Sequence, residues 1–448
     1  MHSDIKCEGI LDIAKSQTAS CSFPTCYKDI AKSCSCSMPG VWRAVAYMDG
    51  AVVVFHSPRA CAHVARTMDI NSQYRTLSEN EREQWGSVPL LSSQMQEKDA
   101  IFGGVARLEK CLRFAIETYK PKCLMIANSC VAGVIGDDVE SVAREVEEEY
   151  NVPILTVECC GFLGAEYYDG YFEITQKLLE RFVKPCAKQK DSVLLLGDNG
   201  GPWGHYAKEV TRILQEFGVE VIGQFPGYMA MDELEKVAAT EYAVVLGGRG
   251  QTHIGLRKVA EQLQEKYGTH YLADIYPVGW QETQDWIISI GRMLGREALA
   301  QQVLAAEQQR LSEQLQHFLP VTEGKKTVLC IGRILRYFHP GNILQTIRLL
   351  RLNLTGIILL DSYDGDEREA MLKVVQENSD VPVYTTAEGE KLVADADIVL
   401  TTHELQNKEA RQIFLPMLPQ VAVAGEVKMM QGIYQSLCSR LKGGVRYV

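Results

Sequence analysis

The feature that most constrains this fold is an alternation of apolar runs with amphipathic helical segments. Near the N-terminus, the apolar runs Ala51 to Phe55, Leu124 to Ala127 and Ile154 to Val157 are typical of buried strands. Between them, the segments Gly104 to Tyr119 and Asp137 to Tyr150 repeat apolar residues at helical spacing. Strands that alternate with helices in this way predict a parallel sheet covered by helices.

The same alternation begins again at Ser192 and once more at Thr327. The sequence therefore predicts an α/β fold with three Rossmann-like parallel-sheet domains. We place them at 1–190 (an N-terminal domain that binds a cluster), 191–320 (a second domain with a linking helix) and 321–448 (a third domain). The segment Gly295 to Leu319, rich in Ala, Gln, Glu and Leu, predicts the linking helix, and Val321 to Lys326 predicts a short polar linker.

Charge and hydropathy exclude several classes of protein. The formal net charge of −11 disfavours a general surface for nucleic acid or for anionic membranes. No apolar run approaches the roughly 18 residues that a membrane-spanning helix needs. The segment Met1 to Ile10 carries acids, a lysine and a cysteine where a signal peptide needs a basic start and an apolar stretch. We therefore expect a cytoplasmic protein with no nucleic-acid or membrane partner.

The chain has 14 cysteines, and in a reducing compartment their uses are packing or metal ligation. Four of them fall within apolar helix or strand patterns and are predicted to be core residues: Cys111, Cys123, Cys330 and Cys438. The others lie within the first 186 residues, five of them in an irregular opening of about forty residues: Cys7, Cys21, Cys26, Cys34 and Cys36. This asymmetry predicts that the chemistry lies in the N-terminal third.

Cys36, Cys61 and Cys130 are each placed on a loop close to an apolar strand. Iron–sulfur clusters need thiolate ligands held in this manner. Spacing alone leaves ordinary thiols as the alternative, because no CxxC pair is present. Two further candidates lie at predicted carboxyl ends of strands, where imidazole binds iron or donates a proton: His253 and His403. Their alternative is a hydrogen-bonded loop histidine.

Two stretches carry a resemblance to a known family: CSMPGVWRAVAYMDGAVVVFHSPRAC and EKDAIFGGVARLEKCLRFAIETYKPKCLMIANSCVAGVIGDDVESV. They resemble component 1 of the nitrogenases and their relatives, and VECCGFLG is similar to the next strand and turn of that family. Later segments such as GDNGGPWG resemble the family at lower specificity. The CSMPG form resembles the nitrogenase β-subunit more than the α-subunit.

The resemblance implies that Cys36, Cys61 and Cys130 hold an iron–sulfur cluster shared across a subunit interface. In the family this is an eight-iron P-cluster or, in tetrapyrrole reductases, a four-iron cluster. The implied partners are a paralogous sister subunit in an α₂β₂ heterotetramer, or a second copy in a homodimer, and an ATP-binding iron–sulfur reductase. The chain itself contains no GxxxxGK[ST] motif, so ATP would be consumed by that separate protein.

Departures from the family lower the expectation of dinitrogen reduction. The family's cofactor-binding cysteine falls at Gly248 to His253, where no cysteine stands, and its histidine falls near Ala422. A nearby glutamine and histidine of the family fall at Tyr167 and Tyr171. Two interpretations fit these departures. Either the sister subunit carries the active site with any second iron–sulfur cofactor, or the cavity of this chain binds something else.

The function predicted is that of an oxidoreductase subunit that receives electrons through the cluster and reduces a small substrate, such as a methylthio-alkane. A scaffold for the assembly of a nitrogenase-type cofactor is the chief alternative. A Rossmann protein without iron, such as a nucleotide-sugar transferase, is the third class.

Overall fold

The computed structural model describes residues 36–67, 87–161, 166–197, 205–246, 251–332, 339–360, 365–407, 409–415, 421–440 and 443–447. These residues form two compact units. The large unit comprises the described residues as far as Leu311, together with those of Leu418–Glu426. The small unit comprises the described residues of Ser312–Met417 and Val427–Val448. No helix in the described ranges combines the length and the apolar character needed to cross a bilayer.

The large unit contains two four-stranded sheets in which every pair of neighbours is parallel. The first has the order β2-β1-β3-β4 and the second β6-β5-β7-β8. Their strands are β1 (Ala51–His56), β2 (Leu90–Ser92), β3 (Cys123–Asn128), β4 (Ile154–Glu158), β5 (Gln189–Leu196), β6 (Glu220–Phe225), β7 (Thr240–Val245) and β8 (His270–Leu272).

Helices connect these strands in the order that the alternation predicts. They are α1 (Met38–Val45), α2 (59–67), α3 (Asp99–Phe102), α4 (Val105–Tyr119), α5 (Cys130–Ile135), α6 (Val139–Tyr150), α7 (Tyr167–Phe182), α8 (His205–Glu216), α9 (Lys236–Ala239), α10 (Gln251–Tyr267), α11 (Trp280–Leu294) and α12 (Glu297–Thr322). β1 and β3 are buried at every position, as strands covered on both faces must be.

The small unit contains one parallel sheet of six strands in the order β11-β10-β9-β12-β13-β14. Its strands are β9 (Lys326–Ile331), β10 (Asn353–Leu359), β11 (Val383–Tyr384), β12 (Ile398–Thr401), β13 (Gln412–Phe414) and β14 (Val445–Tyr447). The helices after α12 are α13 (Pro340–Leu349), α14 (Gly365–Asn378), α15 (Thr386–Asp395) and α16 (Ala422–Cys438), and both α12 and α16 have residues in each unit. Parallel sheets with crossover helices confirm the predicted fold class.

Two expectations from the sequence need correction. The segment from Val321 was predicted as a polar linker, but α12 continues through Pro320 to Thr322 and β9 begins at Lys326. Cys438 was predicted to be buried, yet it is exposed at the last position of α16. Cys123 and Cys330 are buried, as predicted. The division into three domains stays a prediction. Each predicted range holds one sheet, except that β5 begins at Gln189, before the predicted boundary, and the first two sheets share one compact unit.

Candidate functional site

The candidate site lies at the carboxyl edge of the first sheet. β1 runs into α2, which carries Cys61, and β3 is followed at once by α5, which begins at Cys130. β4 is followed by the pair Cys159 and Cys160. Because β1, β3 and β4 are parallel and adjacent, these thiols lie at the same carboxyl edge of the sheet.

The thiols of Cys61 and Cys130 interact electrostatically. Burial raises the pKa of the Cys61 thiol, a hydrogen bond with the Ser57 side chain opposes that rise, and the nearby Cys130 raises the pKa further. A thiol whose pKa is raised by burial and by a neighbouring thiol ionises more readily when a cation lies beside it. The pair is therefore suited to a positively charged ligand such as cluster iron.

Backbone groups hold the Cys130 sulfur in place. Its Sγ accepts a hydrogen bond from Gly161 N at 3.2 Å and lies 3.7 Å from the carbonyl oxygen of Cys159. The helix that starts at Cys130 is capped by Ser129, whose side chain accepts from Ala132 N. An N–H donor directed at a cysteine sulfur is one of the features by which proteins tune iron–sulfur clusters.

Cys36 reaches the same region from the other side. Burial raises the pKa of the Cys159 thiol to about 12, a hydrogen bond with the Ser37 side chain opposes the rise, and the neighbouring Cys36 and Cys130 add to it. Cys159 thus lies close to two of the three predicted ligands. Its own thiol is completely buried and remains protonated.

Close packing of two helices sets the position of Cys36. α1 starts two residues after Cys36 and packs against α7 through glycines. A Cβ atom at Gly40 would lie 1.8 Å from the carbonyl oxygen of Tyr167, and a Cβ at Gly170 would lie 2.3 Å from that of Ser37. Only glycine permits this approach of the two backbones.

A buried network of hydrogen bonds lies at this edge of the sheet. The sequence analysis did not predict it. His56, the last residue of β1, places Nε2 2.9 Å from Asp137 Oδ2 and Nδ1 2.9 Å from Ser93 Oγ. Both Asp137 oxygens accept from Gly104 N at 3.0 Å. Burial lowers the pKa of His56, against the effect of Asp137 and Asp99, so the imidazole is neutral. A histidine within an apolar strand was the sequence signal for this network.

The glycines and acids of this region have structural roles. Gly103 has a φ of 91° and Gly104 approaches Asp137 too closely for a side chain. The Asp138 side chain accepts from Ser141 N at 3.0 Å and caps α6. Asp137 therefore joins the turn after α5 to the loop between α3 and α4.

An exposed pair of apolar side chains lies at the end of α3, directly before that loop. Ile101 and Phe102, at the end of α3, have 76% and 86% of their surface exposed. On α5, the helix of Cys130, Val134 is also exposed, at 67%. Since α3 contacts α5, these side chains form an apolar surface beside the helix of Cys130. Exposed apolar patches of this kind mark interaction sites.

The two candidate histidines lie in different units. His253 is in the first turn of α10, where Nδ1 contacts the Tyr276 hydroxyl and Nε2 lies 3.6 Å from Asp274 Oδ1. His403 follows β12, and its Nδ1 lies 2.9 Å from Thr402 Oγ1, while burial lowers its pKa. Each has ordinary hydrogen-bond partners, and their proposed roles stay predictions.

Several sequence features fall outside the described residues. They are Cys7, Cys21, Cys26, Cys34, most of the GFLG turn, most of GDNGGPWG and the loop 247–250. Tyr167 and Tyr171 are described and pack with neighbouring rings, Tyr171 against Phe172 in an edge-on contact. Within the described part of the chain, no three His, Cys, Asp or Glu side chains come close enough to hold a single metal ion.

Comparison with known proteins decides the family. The sequence profile of the family described as nitrogenase component 1 type oxidoreductase matches residues 36–428, which is most of the chain. This chain belongs to the nitrogenase component 1 family. The assignment confirms the resemblance that the cysteine-containing motifs predicted.

Relatives within the nitrogenase component 1 family include two kinds of protein. The cofactor biosynthesis protein NifE of Clostridium pasteurianum is 26% identical over 62% of this chain and 58% of its own length. The molybdenum-iron protein alpha chain of the same organism is 23% identical over 67% and 56%. The chain thus spans somewhat more than half the length of these relatives. A NifE of Nostoc sp. is 23% identical over 93% of this chain and 88% of its own.

Solved structures of the family share the fold. Nitrogenase Cp1 at pH 6.5 superposes with a TM-score of 0.60 at 15% identity, covering 91% of this chain and 89% of the other. The similarity extends over all three sheets and shows the fold alone.

Proposed function

We propose that this chain is a subunit of a nitrogenase-like reductase, in which Cys36, Cys61 and Cys130 ligate an iron–sulfur cluster shared with a partner subunit. The observation that carries the proposal is the convergence of these thiols at one sheet edge, with Cys61 beside Cys130 and Cys36 beside Cys159. Three thiols set apart around an edge suit a cluster of several irons, and ligands from another chain would complete it.

The cluster would accept and release single electrons, and the residues of this chain would hold and tune it. Gly161 N–H would hydrogen-bond the Cys130 sulfur, an interaction that shifts the reduction potential of a cluster. The buried surroundings of Cys159 would keep water from one side. We infer that the sister subunit or a second copy of this chain covers the other.

The exposed apolar pair Ile101 and Phe102 is the observation that supports docking of an electron donor next to the cluster. We propose that an ATP-binding iron–sulfur reductase binds here. Because α3 contacts the helix of Cys130, a partner on this surface would approach the cluster closely. The substrate would be a small molecule other than dinitrogen, such as a methylthio-alkane, because the family's cofactor ligands are missing at Gly248 to His253 and near Ala422.

Assembly of a cofactor is the second candidate function. The nearly full-length similarity to a NifE favours it. A scaffold would bind a cluster through the same three cysteines and transfer it to another protein. It would not turn over a substrate.

The test begins with iron and sulfide content and EPR spectra of anaerobically purified native protein and of Cys61→Ala. Cys330→Ala is the matched control, because Cys330 is a buried thiol in the sheet of the small unit. We expect the native protein and the control to carry cluster iron and Cys61→Ala to lose it or to change its signal. Equal iron in all three proteins, or iron in none, would refute the assignment.

A second measurement separates the two functions. The native protein is supplied with a reductase, ATP and a panel of small substrates, and product is followed over many turnovers. Sustained product identifies a reductase subunit. Transfer of iron to an acceptor protein without sustained product identifies a scaffold.

A further inference from the structure

A second concave site lies on the large unit, and its lining includes none of Cys36, Cys61 and Cys130. Its volume is about 690 Å³, within the range of small-molecule pockets. It is bounded by α2, by the end of β2 with the residues that follow it, and by α4. The first sheet and its helices supply all of these elements.

Basic side chains from two helices meet in this cavity. Arg59, His63 and Arg66 come from α2, and Arg107 and Lys110 come from α4. Among the described residues, no Asp or Glu lines the cavity. Such a concentration of positive charge is unexpected on a chain with a net charge of −11.

Among the residues that the structure describes, most of these basic side chains have no acidic partner. Of the described residues, none forms an ion pair with Arg59, Arg66 or Lys110. Arg107 is the exception, since its Nε lies 2.5 Å from Asp99 Oδ2. That contact lacks hydrogen-bond geometry, so the two groups are held by charge. Like charges gathered without counterions repel one another, and a bound anion relieves that repulsion.

The rest of the lining is apolar. Leu90 and Leu91 of β2 and Phe114 of α4 contribute hydrocarbon surface, and just over half of Phe114 is exposed. Cys111 adds a thiol whose pKa burial raises to about 11, so that it stays neutral. A phosphate ion alone would leave this surface in water, whereas a ligand with an apolar body would cover it.

We propose that this cavity binds a small phosphorylated organic molecule, with its phosphate on the arginines and Lys110 and an apolar or aromatic body against Phe114. Arginine is suited to the task because its planar guanidinium donates two parallel hydrogen bonds to phosphate oxygens. The site uses none of the three predicted cluster ligands. It stands or falls independently of the proposed reductase function.

The test measures binding of two probes, 1-naphthyl phosphate and inorganic phosphate, to the full chain by isothermal titration calorimetry. Arg66→Glu and Lys110→Glu reverse two of the cavity charges, and Lys258→Glu, on the exposed face of α10, is the matched control. We expect each reversal in the cavity to weaken binding of the naphthyl ester at least tenfold, and the control to leave it unchanged. Equal binding by the variants and the control would overturn the proposal.

A second variant tests the apolar part of the site. Phe114→Ala should weaken binding of 1-naphthyl phosphate several-fold while leaving that of inorganic phosphate unchanged. Size-exclusion chromatography with light scattering of the same proteins addresses the competing explanation. If the charge reversals change the oligomeric state and the native protein binds neither probe, the cavity belongs to a protein interface and the proposal is wrong.

Discussion

His56 Nε2 lies 2.9 Å from Asp137 Oδ2, although the two residues are 81 positions apart in sequence. The carboxylate also accepts from Gly104 N, so it joins the end of β1, the turn after the Cys130 helix and the loop that follows Phe102. A single buried carboxylate thereby links the predicted cluster region to the exposed apolar pair.

Asp137→Ala should destabilise the large unit by about 2–4 kcal/mol, because His56 Nε2–H and Gly104 N–H would lose their buried acceptor. Urea unfolding followed by circular dichroism measures the change. Asp138→Ala is the matched control on the same turn, where loss of an exposed helix cap costs about 1 kcal/mol. Equal losses for the two variants would contradict the role assigned to Asp137.

The pKa of His56 predicts how stability changes with pH. Because burial lowers that pKa in the folded protein, the unfolded chain takes up the proton first as the pH falls. The contribution of neutral His56 to the free energy of unfolding is complete above the pKa of the unfolded chain, about 6.5. It is lost as the pH falls from that value to the lower pKa of the folded protein. We expect the thermal midpoint to fall over this window.

His56→Gln should flatten that dependence, while His270→Gln, at an exposed position of β8, should leave it unchanged. Burial also lowers the pKa of His403, which acts with the same sign, so some dependence remains. A profile for His56→Gln parallel to that of the native protein would count against the assignment.

Gly40→Ala should push α1 away from α7, because the new Cβ would lie 1.8 Å from the carbonyl oxygen of Tyr167. Overpacking of this kind costs about 1–3 kcal/mol. We expect iron content to fall as well, since α1 begins next to Cys36. Gly133→Ala is the control: its Cβ would meet only Cys160, at 3.7 Å, and should be tolerated. If Gly40→Ala keeps the iron content of the native protein, the position of α1 does not affect cluster binding.

Phe102→Ala should weaken binding of the proposed electron-donating reductase at least tenfold, which corresponds to about 1.4 kcal/mol. The reason is that Phe102 is exposed in the free chain, and an aromatic side chain on a docking surface contributes binding energy when the partner buries it. Its effect on stability should stay within about 0.5 kcal/mol. Biolayer interferometry with the reductase and ATP measures the affinity. Tyr119→Ala, a partly exposed aromatic at the end of α4, is the control, and an equal effect of both variants would remove Phe102 from the docking surface.

The sequence alone was sufficient for the alternation of strands and helices and for the choice of candidate ligands. Buried strands such as β1 and β3 are uniformly apolar, and the helices between them repeat apolar residues with a period of 3.6, so both leave local patterns. The motifs around Cys36, Cys61 and Cys130 then indicated the family. Local pattern was less reliable at the ends of elements, as the extension of α12 to Thr322 demonstrates.

Only the tertiary structure decided which side chains meet. The pair of His56 and Asp137 and the approach of Gly40 to Tyr167 each join residues far apart in sequence. The basic cavity likewise depends on α2, α4 and β2 lying around one space. Such contacts follow from strand order and helix placement, which are settled by burial of the whole core, and no local pattern of residues encodes them.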